Sequence, residues 1–412
     1  MVGAESRVGA VDDAGCRAAA CNAFIEGDNL AVLAGLAASS YDLIYIDPPY
    51  NTGNDFVYLD RVRADADHQD RHAAWTAMMR PRLEQARRVL AETGAIFVSI
   101  DDHEVAHLRL LLDEVFGEEN LLATIVVNLN AKGRQLGKGF ATNHEYLLAY
   151  ARDAATCVLE PSSPDGVDPR DFPLEDPGEP RRYRRLPLRN TNKKFNPVTA
   201  PTMHYPLYGD PETGEVRSAP FVGGEQILPV FGDATSAVWR WSAPLVEARP
   251  LDLVCRRVRS RSGDRVDVFQ KDWLEPGRRK KLRTIWLADE VGSTDTAVAE
   301  LKALVGHLFE SPKPTGLIRR ILSTMPSDAR VLDFFAGSGT TGHAVSLANA
   351  EDGGNRTCLS VNSAEPTRPG SNAHRLGYAT VADVTRARLH AVAAAYGDGF
   401  EDRAASSPDR AG

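Results

Sequence analysis

Val331-Leu332-Asp333-Phe334-Phe335-Ala336-Gly337-Ser338-Gly339-Thr340-Thr341-Gly342 is an apolar run of strand length that breaks into closely spaced glycines and then into a helical stretch, His343 to Ala348. Glycines at such a turn let the backbone approach a ligand, and the amino end of the following helix favours polar or anionic groups. The G-x-G-x-x-G spacing also fits a dinucleotide site or a purely structural tight turn. A strand, glycine turn and helix in this order predict a doubly wound α/β sheet, whose ligands sit beyond the carboxyl ends of strands where strand order reverses.

A second stretch, Tyr45-Ile46-Asp47-Pro48-Pro49-Tyr50-Asn51-Thr52, follows another apolar run that begins at Tyr41. Neither proline can donate to a sheet ladder, so the strand ends, and a residue before proline is pushed to extended geometry. Asp47 is thereby held at the strand end, where its carboxylate and the Pro48 carbonyl are two acceptors suited to an NH2 group. Tyr50 can lay its ring over a flat base, a contact worth on the order of 1–3 kcal/mol. In a doubly wound sheet the two turns would face each other, one holding a methyl donor and the other an amine.

The chain has 412 residues, 43% hydrophobic and 25% charged, enough to bury more than one core. No apolar run approaches membrane-spanning length, and the first twenty residues lack the layout of a signal peptide. Five cysteines, at 16, 21, 157, 255 and 358, form no C-x-x-C pair, so no disulfide framework and no metal site is expected, and a reducing, cytoplasmic setting is. Net charge is −8, but Arg181, Arg182, Arg184, Arg185, Arg189, Lys193 and Lys194 follow one another with no acid among them. Arg256, Arg257, Arg259 and Arg261, and then Arg278, Arg279, Lys280, Lys281 and Arg283, make a second concentration. Both lie between the two chemical motifs, which favours contact with nucleic-acid phosphates over a merely solvated surface.

Strand and helix patterns alternate from 22 to 154, give way from 155 to 283 to a Pro-, Gly- and Arg-rich stretch, and resume from 284 to 395. An insert this long predicts a module of its own. Polar tails are expected at 1–21 and 396–412, and the polar segment 51–72 reads as a lid over substrate. Trp239 and Trp241 suit either base stacking or the insert's core.

Together, Asp47-Pro48-Pro49-Tyr50 and Phe335-Ala336-Gly337-Ser338-Gly339-Thr340 resemble the catalytic and cofactor motifs of S-adenosylmethionine-dependent DNA amino-methyltransferases. The catalytic motif comes first, as in the permuted β class of N6-adenine enzymes. The chain is similar, more narrowly, to modification subunits of type III restriction-modification systems through Asn143-His144-Glu145-Tyr146-Leu147-Leu148, Trp239-Arg240-Trp241, Lys313-Pro314 and other strings between 22 and 395. The resemblance implies a Rossmann-like sheet with permuted motif order and an inserted target-recognition domain. It implies a site-specific, adenine-specific methyltransferase acting on double-stranded DNA by base flipping, with Asp47, Pro48, Pro49 and Tyr50 at the reacting amine. S-adenosylmethionine would be held by Asp333, Phe335, Ala336, Gly337, Ser338, Gly339 and Thr340, with Asp28, Lys313 and Glu365. Asp28 would look the same as a helix N-cap, and Asp333 as a residue that ties the loop down. Arg184, Arg185, Lys193, Lys194, Arg278, Arg279 and Lys280 are the expected DNA contacts. A homodimer and a separate restriction subunit are expectations of that family.

No cysteine follows a proline, so the thiolate route of cytosine C5 enzymes is not indicated. A nicotinamide oxidoreductase would use the glycines but leave the Asp-Pro-Pro-Tyr turn unexplained. Two further readings stay open: a non-catalytic methylase descendant, and a methyltransferase acting on cytosine N4, glutamine or RNA.

Overall fold

A computed structural model describes residues 21–52, 68–130, 133, 139–160, 167–260, 263–276, 278 and 281–404. The chain opens with β1 (Cys21–Glu26), α1 (Asn29–Gly35), β2 (Tyr41–Ile46), α2 (His68–Val89), β3 (Leu90–Ile100), α3 (Val105–Phe116), β4 (Leu121–Val127) and β5 (Glu145–Ala151). The middle stretch carries β6 (Tyr183–Pro187), β7 (Leu207–Gly209), β8 (Val216–Arg217), β9 (Glu225–Ile227), α4 (Ala243–Ala248), β10 (Leu253–Ser260) and β11 (Gly263–Trp273). Next come β12 (Ile285–Trp286), α5 (Ala288–Val291), α6 (Thr294–Val305), α7 (Thr315–Leu322), β13 (Arg330–Asp333), α8 (Thr340–Asp352), β14 (Thr357–Asn362), α9 (Asn372–Arg375), α10 (Val381–Tyr396) and β15 (Gly399–Ala404).

Two compact units result, one from residues 1–164 with 281–412 and one from Asp165–Lys280. The first is built on a sheet of order β12-β4-β5-β3-β2-β13-β14-β1-β15. Its strands are parallel from β3 across to β15, and β5 runs antiparallel to both β3 and β4. Successive side chains of a strand face opposite ways, so a sheet covered on both sides needs apolar residues at every position. β2 meets that need. Ile44 and Ile46 join Leu33, Trp75, Met79, Leu83 and Leu108 of α1, α2 and α3, whereas Leu43 and Tyr45 join Leu317, Ile318, Ile321, Ala344 and Val345 of α7 and α8.

Caps set several helix ends. Asp28 accepts from the Ala31 amide at the start of α1, and Thr380 and Asp383 cap α10 reciprocally. The helix after the glycine turn begins at Thr340, three residues earlier than its sequence pattern suggests, so Gly342 lies inside it. The predicted tail from 396 is corrected at Gly399–Ala404, which forms β15 parallel to β1 and is anchored by an Arg386–Asp402 ion pair and by Phe400 on a small core of Phe24, Ala382 and Leu389. Of the expected lid, 53–67 lie outside the described residues, and α2 already begins at His68.

The second unit holds two three-stranded antiparallel sheets, β10-β11-β6 and β8-β7-β9. Its core contains Leu188, Leu207, Ile227, Leu253, Cys255 and Val268 together with Trp239 and Trp241. The Trp239 indole N–H donates to the Tyr205 carbonyl at 2.8 Å, so of the two readings of these tryptophans the core one holds. The insert is narrower than the expected 155–283, because Cys157, Leu159 and Leu282 pack on the large sheet's core. Cys157, Cys255 and Cys358 are free thiols, and no helix among the described residues is long and apolar enough to cross a membrane.

Candidate active site

β2 and β13 are parallel neighbours, with Leu43 opposite Val331 and Ile44 opposite Leu332. Parallel pairing forces the chain to leave both strands at one edge, so the Asp47 turn and the glycine turn emerge side by side although they stand near opposite ends of the sequence. One cavity opens there, walled by Asp28, Tyr45, Asp47, Pro49, Lys313, Asp333, Phe335, Ala336, Gly337, Ser338, Thr340 and Glu365, among others. Pro48, Tyr50 and Gly339 are not in its walls.

The Asp47 turn is a knot of charge. Asp47 Oδ1 accepts from the Tyr50 hydroxyl at 2.8 Å and lies 3.0 Å from Lys313 Nζ. The same ammonium donates to the Tyr50 hydroxyl at 2.8 Å and stands 3.3 Å from Glu145 Oε2. Lys313, expected to hold the cofactor, thus sends its side chain to the Asp47 turn, while its carbonyl accepts from the Thr340 hydroxyl beside the glycines. Burial disfavours its charged form, but Asp47 and Glu145 outweigh that and raise its pKa. Burial lifts the Glu145 carboxyl to about 7, against the pull of Lys313 and with a further push from Asp47. Burial, with Asp47 and Glu145, also keeps the Tyr50 phenol protonated.

Glu145 lies in a sequence string singled out only for its resemblance. It reaches the site because β5 runs against β3, with Ile100 opposite Tyr146, which puts the start of β5 at the edge where the parallel strands finish. An acid opening an antiparallel strand is a signal only once strand direction is known.

Around the turn, Trp75 donates its indole N–H to the Pro49 carbonyl at 2.7 Å. Asn51 adopts a left-handed φ of 60° and donates to the buried Glu104 Oε1 at 2.6 Å, an oxygen His72 Nδ1 also meets at 2.7 Å. Left-handed geometry is tolerated by asparagine better than by most residues. His72, Glu104 and His107 could offer three metal ligands, but the two imidazoles stack 4.3 Å apart at 19°, so their in-plane lone pairs do not converge on one point.

The glycine loop is held differently. Gly337 and Gly339 have φ of 50° and 77°, the region that penalises a side chain. Asp333 accepts from the Phe335 amide on one oxygen and from the Thr341 hydroxyl on the other, so it ties the loop down while still lining the cavity. Burial raises its pKa to about 7, against those two hydrogen bonds. Asp28 both caps α1 and faces the cavity, with Arg82 3.4 Å from its second oxygen. Backbone amides, hydroxyls and left-handed glycines at the amino end of α8 fit the polar, partly anionic tail of a nucleoside cofactor, and Asp28 and Glu365 offer acceptors for its amine and hydroxyl donors.

In the insert, the basic run is less free than its sequence suggests. Arg184 and Arg278 share Asp272, each at 2.7 Å, and Lys193 pairs with Asp233 at 2.6 Å. Arg185 lies over the Phe269 ring, and neither it nor Lys194 has an ion pair among the described residues. Arg279 and Lys280 lie outside the described residues.

A sequence profile described as DNA methylase matches residues 41–354, which contain both turns and the whole insert. The chain belongs to the DNA methylase family. The methylase is 36% identical over 384 residues to the type II methyltransferase M.KpnI of Klebsiella pneumoniae, covering 91% of this chain and 88% of that one. It is 33% identical over 405 residues to the Mod subunit of the type III restriction-modification enzyme EcoPI of Escherichia phage P1, covering 90% of this chain but only 62% of the subunit. Among solved structures, a DNA modification methylase from Thermus thermophilus complexed with S-adenosyl-L-methionine is 14% identical with a TM-score of 0.41, over 93% of this chain and 99% of that one.

Proposed function

We propose that this methylase transfers a methyl group from S-adenosylmethionine to the N6 amine of adenine in double-stranded DNA, as the modification enzyme of a restriction-modification system. The observation that carries the reading is one cavity bordered both by Asp47 and by the Phe335–Thr340 loop. The type II methyltransferase M.KpnI and the EcoPI Mod subunit are both relatives of this chain, which supports a restriction-modification setting with the restriction activity on a separate chain.

The bound cofactor supplies the electrophilic methyl group at the glycine loop. An exocyclic amine is a poor nucleophile because its lone pair is delocalised into the ring. Asp47 and the Pro48 carbonyl accept its two hydrogens and draw the nitrogen toward tetrahedral geometry. Lys313 holds Asp47 in place, and Tyr50 offers its ring to the base, which must leave the helix to reach this edge. Glu145 does not line the cavity but meets the Tyr50 hydroxyl at 3.2 Å, and with its carboxyl raised to about 7 by burial it takes up, through that hydroxyl, the proton the amine gives back. Arg185 and Lys194 contact phosphates.

The test is transfer of labelled methyl from S-adenosylmethionine to unmethylated double-stranded DNA, followed by digestion to nucleosides and mass identification. N6-methyladenine is expected. N4-methylcytosine, or label in RNA or protein alone, would overturn the assignment.

A further inference from the structure

Arg388 on α10 is fully buried, and no carboxylate among the described residues comes within salt-bridge distance of it. Its Nη1 donates to Ser338 Oγ at 3.1 Å and to Thr340 Oγ1 at 2.8 Å, and its Nη2 meets His343 Nδ1 at 3.1 Å. Burial and the arginine together lower the His343 pKa to about 3, so that ring is neutral and accepts. The acid whose field reaches Arg388 is Glu300, and its two oxygens are taken by the amide and hydroxyl of Thr315. A buried, unpaired cation is costly, and one that persists beside a binding loop calls for a compensating ligand.

A guanidinium only donates, so each hydroxyl it binds must accept and has one proton left to give. Thr340 gives its proton to the Lys313 carbonyl. Ser338 is left to direct its proton to Thr340 or into the cavity that it lines. The amino end of α8 adds positive potential at the same place. Elsewhere the cavity is acidic, with Asp28, Asp47, Asp333 and Glu365 in its walls, and the cations that line it, Arg82 and Lys313, already face Asp28 and Asp47.

We infer that Arg388 is a positioning residue for the cofactor loop: it turns Ser338 into a fixed donor and, through it, makes this corner selective for the carboxylate of the methyl donor's amino-acid end. The inference rests on the proposed cofactor. Arg388 touches no ligand itself and acts from behind the loop.

Calorimetric binding of S-adenosylmethionine and of its decarboxylated analogue, which keeps the sulfonium and the amine, tests it. The wild-type methylase should prefer the intact cofactor, and Arg388→Met should erase roughly tenfold of that preference while binding the analogue as before. Ser338→Ala, which leaves the buried cation in place, should reproduce much of the loss, and the two changes should not add. Arg388→Lys should recover part of it. Equal weakening of both ligands would reduce Arg388 to a packing role, and an unchanged ratio in both variants would overturn the inference. A wild-type protein that binds neither ligand would instead sink the cofactor assignment.

Discussion

The Asp47 turn and the glycine loop sit on adjacent strands and border one cavity, yet they are held by opposite means. At the turn, two carboxylates, a phenol and an ammonium compensate one another within hydrogen-bond distance. At the loop, backbone shape and hydroxyls do the holding, and the one nearby cation has no counter-ion among the described residues. On the proposed reading, a turn that polarises an amine needs charge that stays put when the base arrives, whereas a loop that admits a zwitterionic tail keeps a charge in reserve for it.

The sharpest way to separate the two is Asp47→Ala. It should cut methyl transfer at least about a hundredfold while leaving cofactor binding within about threefold, read by single-turnover rates beside calorimetry. Equal loss of both would mean that the turn and the loop are one device. Gly339→Ala should act the other way, since a side chain at left-handed φ costs about 1–2 kcal/mol and its Cβ would lie 3.4 Å from Thr385. About tenfold weaker cofactor binding is expected, with little change in the transfer rate at saturating cofactor.

Glu145→Gln probes the turn through pH. A carboxyl at 4.5 in the unfolded chain and about 7 in the folded protein keeps a proton that the unfolded chain releases, so stability falls as pH rises across that interval and then levels off. The glutamine, neutral throughout, should flatten part of that fall in melting temperature between about pH 5 and pH 8, leaving the share due to Asp333, which shifts the same way. An unaltered profile would mean Glu145 is ionised in the folded protein. The smallest effect is expected in the insert. Arg185→Ala should lower the salt slope of DNA binding by about one, and Arg184→Ala, whose charge Asp272 already offsets, by less.

What could be read from the sequence was what local chemistry fixes. Two prolines end a strand whatever surrounds them, and glycines mark a left-handed turn, so the edge of the sheet and its two turns were legible. The partners were not. Lys313 meets Tyr50 across 263 residues, and Arg184 finds Asp272 across 88, distances at which a linear run free of acids says nothing about pairing. Glu145 was hidden by the direction of one strand. Gly399–Ala404 read as a tail because an edge strand with one anchoring aromatic lacks the apolar alternation that announces a strand. Arg388 looks in the sequence like any polar helix residue, and only its complete burial sets it apart.

The Pro49 carbonyl has consequences beyond support, because its partner is an indole. Trp75 is a fluorophore hydrogen-bonded to the Asp47 turn itself, and the other four tryptophans, 239, 241, 273 and 286, lie elsewhere in the chain. With those four replaced by phenylalanine, the emission of Trp75 alone would time the arrival of a base at the turn, on a clock independent of the methyl-transfer step.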